Sequence, residues 1–201
     1  MKKIIDKYGC AAVIIVAAVV CYMMGAEAPM SKETAWWTHF TYEWSHGNIW
    51  HLMGNCLVIG AIAYSDFKTM WLSWLLAYLI ACTAPALDAP TVGMSGICYA
   101  MMGMISWQAA RVWRYHAWVV AFIAICALVP GVSNNLLHIW CYGIGTAIAY
   151  AIGWVMGERE KRILKRMEAA TPPRKVIKRI NGWRPKLIGS NYTKPKRRHR
   201  R

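Results

Sequence analysis

Long apolar runs, with little alternation of apolar and polar positions, dominate the first 156 residues of this chain. They fall at about residues 8–25, 50–64, 70–87, 94–110, 117–130 and 136–156. Each approaches the length of a bilayer crossing, since a helix rises about 1.5 Å per residue and the hydrocarbon core is roughly 30 Å thick. The breaks between runs hold helix-interrupting or water-seeking residues: Ser65-Asp66-Phe67-Lys68, the stretch from Pro85 to Pro90, and Pro130-Gly131-Val132-Ser133-Asn134-Asn135. The pattern predicts an all-α polytopic membrane protein, with six transmembrane helices bundled over residues 1–157 and a tail over 158–201. A composition of 57% hydrophobic and 16% charged residues points the same way.

Charge adds an orientation. Of the net +15, residues 158–201 carry +14, from 17 Lys or Arg against three Glu, so the apolar part is nearly neutral. Six spans put both termini on one side, where Lys2, Lys3, Lys7, Lys68, Arg111 and Arg114 join the tail and only Lys32 lies opposite. The positive-inside bias makes that side cytoplasmic. Tryptophans 36, 37, 44, 50 and 140 then fall at the outer interface, and 71, 74, 113 and 154 at the inner one. From about Thr171 the tail is basic, interrupted by Pro172, Pro173, Pro185 and Pro195, and poor in apolar residues, so it is expected to be largely disordered and held on anionic lipid. That reading is preferred to a nucleic-acid or ribosome tether, and nucleic acid is not an expected partner.

The N-terminus also resembles a secretory signal, with Lys2 and Lys3 before an apolar run that ends in Ala26-Glu27-Ala28. Pro29 obstructs cleavage there and the run is long for a signal core, so it is read as a retained first span. The seven cysteines all fall in predicted spans without a CxxC pair, and read as small packing residues. No disulfide, metal or cofactor is expected.

Against this apolar background a few polar residues carry chemistry. The second, fourth and sixth spans all start at the outer face, and near those starts lie His51 and Asn55, then Ser95, then His138. A serine hydroxyl needs a base within hydrogen-bond reach, and His138 is the only histidine deep in a later span. Small residues recur every three or four positions in both helices, Gly93, Gly96, Ala100 and Gly103 in one and Cys141, Gly145, Ala149 and Gly153 in the other. Such stripes let helix backbones approach closely and would deliver His138 to Ser95. Tyr99, one turn below Ser95, is placed to stack on the imidazole.

The later spans hold no Asp or Glu, which favours a Ser-His dyad over a triad. His51 and Asn55, four apart on one helical face, can join the backbone N–H groups at the start of the fourth span in an oxyanion hole. His46, about 140° round a helix from His51, is expected to point elsewhere and to serve structure. The fourth span can climb only about 26 Å, which sets Ser95 in a recess below the outer surface. A nucleophile elbow of the soluble hydrolases is excluded, because Ile97 stands where its second glycine is needed.

The set His46-x-x-x-x-His51-x-x-x-Asn55, Gly93-Met94-Ser95-Gly96 with Tyr99, and His138 in the sixth span resembles the rhomboid intramembrane serine proteases in their compact bacterial form, over about residues 8–156. The resemblance implies cleavage of other membrane proteins within or beside their transmembrane helices, in a bacterial inner membrane. Ser95 is then the nucleophile, His138 the base, and His51 and Asn55 the oxyanion donors. It also implies a re-entrant first loop in the outer leaflet, matching the stretch Trp36 to Trp50, and a mobile fifth span acting as a lateral gate. Two positions depart from the family pattern. Thr38 follows Trp37 where many members have arginine, which puts an internal network of that loop in doubt. Cys141 stands where glycine usually lies three residues after the histidine, predicting a slightly wider helix pair.

A non-catalytic rhomboid-like binder of transmembrane segments is the alternative, and it predicts loss of a nucleophile or base that are both present. Nothing in the sequence separates a general protease from one dedicated to cutting a sorting tag near the C-terminus of exported proteins.

Overall fold

The computed structural model describes residues 2–65, 67, 69–128 and 134–170. Asp66, Lys68, residues 129–133 and the tail from 171, with the disorder expected of it, lie outside the described residues. Those described form six α-helices and no strand: α1 (Lys2–Met23), α2 (Ile49–Tyr64), α3 (Trp71–Cys82), α4 (Ser95–Ile105), α5 (Val112–Ala127) and α6 (Asn135–Ala170). The expected all-α architecture holds. Two compact units divide the chain, Met1–Arg159 and Glu160–Arg201.

Local chemistry explains the helix ends. Gly25, at φ +65°, closes α1: its N–H bonds the Tyr22 carbonyl at 3.1 Å and that of Ala26 bonds Cys21 at 3.0 Å, satisfying carbonyls that the helix leaves open. The Asn48 side chain caps α2 by accepting from the His51 N–H at 2.9 Å, and Asn134 caps α6 by accepting from Leu137 at 3.0 Å. The Thr83 hydroxyl donates a hydrogen bond to the Ile80 carbonyl at 2.7 Å, and Pro85 disfavours helix at the residue before it. The third helix therefore stops at Cys82, although the apolar run continues to Leu87.

Two other expectations change. The fourth helix has eleven residues, with a 3-10 turn at Ser106–Gln108 after it. It climbs about 17 Å instead of 26 Å. The sixth helix continues past the expected end of the last span, near residue 156, to Ala170, so the tail that begins at 158 starts as helix. Glu158 to Ala170 contains neither Gly nor Pro and is rich in Glu, Lys, Arg, Leu and Ala, so nothing there opposes helix.

The core of the first unit gathers on α4, where all residues but Met102 are buried. It packs on α2 and α3, while Gly103 and Gly145 bring its backbone against α6. The first loop folds over α3 through two 3-10 turns, Trp36–Phe40 and Tyr42–Trp44. It is fixed by bonds from His39 Nδ1 to the Cys82 carbonyl at 3.2 Å, Tyr42 to Ala81 at 3.0 Å and Tyr78 to Phe40 at 2.7 Å. Thr38 ties the loop to itself, donating to the Ala35 carbonyl at 2.7 Å and sharing a 3.0 Å contact with the Thr34 hydroxyl. Met30 and Thr91 pair in an isolated antiparallel bridge that ties this loop to the one before α4.

The outer surface is apolar. Val13, Leu57, Trp71, Trp118, Ile139 and Trp154 are among many large hydrophobic side chains that stand exposed on five different helices. Among the described residues, Asn135–Val155 is the one helical segment long and apolar enough to cross a membrane, while Tyr8–Met23, Ile49–Tyr64, Trp71–Cys82 and Val112–Ala127 are apolar but shorter.

Candidate active site

Ser95 opens α4 directly after a turn that only glycine adopts easily, since Gly93 has φ +98°. Close approach demands glycine there as well. A Cβ at Gly93 would stand 2.5 Å from Cε1 and 2.7 Å from Nε2 of His51, and 3.3 Å from the Asn55 amide nitrogen. Both α2 side chains therefore face the backbone just before Ser95. The Gly93 N–H is held by the Tyr42 carbonyl at 2.9 Å, which anchors the turn to the first loop.

His138 arrives from α6. Its helix begins at the Asn134 cap, and the Asn134 amide also donates to the Thr91 hydroxyl at 2.7 Å, locking the start of α6 to the loop that leads into α4. Nε2 of His138 lies 3.0 Å from Ser95 Oγ, with both residues buried. Tyr99 stacks on the imidazole, centroids 4.2 Å apart at 27°, and Phe122 of α5 stacks on Tyr99 at 6.3 Å and 28°. Nδ1 of His138 is buried with no partner. Among the described residues no carboxylate bonds the ring, and the Tyr99 stack fixes its plane.

The two small-residue stripes meet in part: Gly103 and Gly145 lie at the contact, whereas Gly93 faces α2 and a Cβ at Gly153 would meet nothing within 4 Å. A Cβ at Gly145 would run into the Ala100 main chain, and one at Gly103 into the main chain of Tyr142 and Thr146. A Cβ at Gly96 would lie 3.5 Å from Cys141 Sγ, an ordinary contact. None of the seven cysteines forms a disulfide, and among the described residues no group of His, Cys, Asp and Glu is arranged to hold a metal.

His46 corrects its expectation. A helix continued back from His51 would turn it away, but Asn48 has extended backbone and α2 starts only after it. The chain turns back there. Nδ2 of Asn55 lies 3.3 Å from His46 Nε2, and the His46 and His51 rings meet edge-on at 5.3 Å. Burial, with His51 nearby, pulls His46 down to about 4, so the ring is neutral near pH 7 and its Nε2 can accept a hydrogen bond from the Asn55 amide. One Asn55 N–H is then left for the cavity.

That cavity measures about 830 Å³ and is lined by His51, Asn55, Ser95, Tyr99, Phe122 and His138, among others. The Ser95 hydroxyl, the His138 and His51 imidazoles and the Asn55 amide thus converge on one space. Three contributors were not identified from the sequence. Asn134 is legible afterwards as an Asn four residues before His138, a capping position, and Phe122 as an aromatic in an aliphatic run. Tyr42, which holds Gly93 through its backbone, leaves no signal in a sequence. The chain matches no protein-family model, no curated protein and no solved structure.

Proposed function

We propose that this protein is an intramembrane serine endopeptidase of the rhomboid type, cleaving transmembrane or juxtamembrane segments of other membrane proteins. The observation that carries the proposal is the 3.0 Å contact between Ser95 Oγ and His138 Nε2 at a cavity shared with His51 and Asn55. In the reaction His138 Nε2 takes the Ser95 proton as Oγ bonds to the scissile carbonyl carbon. The carbonyl oxygen becomes an oxyanion, met by the Asn55 amide, His51 and N–H groups at the start of α4. Collapse breaks the C–N bond, and His138 returns its proton to the leaving amine. Water, activated by the same ring, then releases the acyl group from Ser95.

The membrane part of the proposal takes α1 to α6 as six spans with both termini cytoplasmic. It is supported by the apolar outer surface and by the concentration of Lys and Arg in residues 158–201. A span of eleven residues leaves α4 shorter than the bilayer is thick, so Ser95 lies in a recess that water reaches from outside while lipid surrounds the bundle. The partners are membrane-protein substrates, with anionic lipid at the basic tail.

The test is reconstitution of the full chain with a reporter transmembrane substrate, alongside Ser95→Ala and a fluorophosphonate that labels activated serines. Cleavage and labelling that both vanish in Ser95→Ala are expected. Cleavage that survives in Ser95→Ala contradicts the assignment.

A further inference from the structure

Glu43 takes no part in the chemistry above, yet it is 0% exposed. It lies on the Tyr42–Trp44 turn of the first loop, where Oε1 accepts from the Cys82 thiol at 3.7 Å and Oε2 is buried without a partner. The titratable groups around it are all neutral or potentially anionic: Tyr42 on its own turn, Cys82 and Tyr78 from α3, and Cys141 from α6. Among the described residues the one ion pair is Lys32–Asp88, so no cation answers a charge at Glu43. A carboxylate there would lack both a counter-ion and a full set of donors, which is far costlier than a neutral acid. Burial accordingly pushes the carboxyl up to about 8.

The same turn carries the catalytic end of α4. The Tyr42 carbonyl accepts from Gly93, two residues before Ser95, and the Tyr42 hydroxyl fills the space where a Gly96 side chain would stand, 3.0 Å from that Cβ. Tyr42 is fixed from below by its 3.0 Å bond to the Ala81 carbonyl, one residue before the thiol that Glu43 contacts. Whatever displaces Glu43 from its enclosure displaces the support of Ser95.

We propose that Glu43 is a positioning residue for Ser95: as a protonated acid it seats the Tyr42–Trp44 turn against Gly93 and Gly96, and its ionisation unseats that turn and switches the site off at alkaline pH. The role rests on the reading of Ser95 as nucleophile. Its linkage to stability has a definite sign. The ordinary glutamate value is 4.5 and the enclosed one is higher, so the folded state binds the proton more tightly than the unfolded chain. The stability contributed is complete below about 4.5 and is lost as pH rises through about 8. One pH unit above that value about a tenth of the molecules keep the proton.

The experiment compares wild type, Glu43→Gln and Glu43→Ala, each as the full chain in detergent, from about pH 6 to 9, reading fluorophosphonate labelling rate and thermal unfolding. Labelling and melting temperature of the wild type are expected to fall through about pH 8. Glu43→Gln, neutral at every pH, should follow wild type at the acid end and hold its labelling at pH 9, about tenfold above wild type there. Glu43→Ala should be impaired at every pH, because it empties the enclosure without restoring its shape. An alkaline fall that Glu43→Gln shares, or a Glu43→Gln variant slow at every pH, overturns the role of the proton on Glu43. A wild type that never labels at any pH instead overturns Ser95 as nucleophile, and this role with it.

Discussion

Gly145 of α6 rests on the main chain of Ala100 in α4, so closely that a Cβ at position 145 would collide with the Ala100 carbonyl oxygen. Gly103 meets the main chain of Tyr142 and Thr146 in the same way from the opposite helix. Backbone contact of this kind sets the distance between two helices without any side chain to soften it. It is what brings His138 to Ser95, 43 positions away, within hydrogen-bond reach.

Gly145→Ala should therefore separate α4 from α6 and cost about 1–3 kcal/mol, as overpacking does in a close-packed core. Cleavage should fall with it, because the Ser95–His138 contact widens. Gly143→Ala is the control, since a Cβ at Gly143 meets nothing within 4 Å. Its thermal unfolding should match wild type or rise slightly, as alanine stabilises a helix interior by roughly 0.5–1 kcal/mol over glycine. Equal melting temperatures for the two variants would contradict the backbone contact.

Ser95→Ala and His138→Ala should each abolish cleavage while leaving unfolding close to wild type. In the proposed mechanism Ser95 and His138 act as one unit, so the double variant should be no slower than either single one. Multiplying losses in the double variant would mean that the two residues act independently.

Asn55→Ala should lower turnover more than it raises the Michaelis constant, because an oxyanion donor meets charge that develops only in the transition state. The loss reaches about 10²–10³, or 2.7–4 kcal/mol, if Asn55 is the sole donor, and is smaller where His51 and the backbone share the task. His46→Phe should fall between wild type and Asn55→Ala, since it frees the Asn55 amide without removing it. His46 also has a pH signature. Its ring is held at about 4 against an ordinary 6.5, so the unfolded chain takes up the proton first. The stability it contributes is present above about 6.5 and is lost as pH falls through about 4, a slope that His46→Phe should flatten in unfolding measurements.

Ser95, His138, His51 and Asn55 were legible in the sequence because each is a polar residue in an apolar run, where burial without a purpose is costly. The helix approach was legible from glycine spacing. The direction of His46 is not legible from helical periodicity, because the cap at Asn48 ends the helix whatever the pattern beyond it. The end of α3 was overrun because Ala86 and Leu87 continue the apolar run, while it is Pro85 and the Thr83 hydroxyl that turn the backbone. Glu43 could not be read at all. A single acid among aromatics in a loop resembles a solvated residue until the loop is seen folded over α3, and that placement depends on contacts to Cys82, Ala81 and Gly93 distant in the chain.

The anchoring of α5 yields the last prediction. Its first turns are held on several sides: the Tyr115 hydroxyl donates to the Met102 carbonyl at 2.9 Å, Phe67 meets Tyr115 edge-on at 6.1 Å, and His116 Nδ1 lies 2.5 Å from the Tyr142 hydroxyl, with Nε2 3.4 Å from that of Tyr150. Further along, Phe122 and Cys126 form part of the cavity wall, and Phe122 packs on the tyrosine that stacks on His138. His116→Phe keeps a ring of similar bulk but removes both hydrogen bonds, each contributing about 0.5–1.5 kcal/mol. Amide exchange in α5 should accelerate, and binding a substrate must then order a wall that is already ordered in the wild type. That cost reduces the binding-competent fraction, so the Michaelis constant should rise several-fold with turnover near wild type. Labelling by a small fluorophosphonate, which needs only Ser95 and His138, should be unaffected. If labelling slows as much as substrate cleavage, the anchor at His116 acts on the chemical step through Tyr99, and the view of it as support for the cavity wall is wrong.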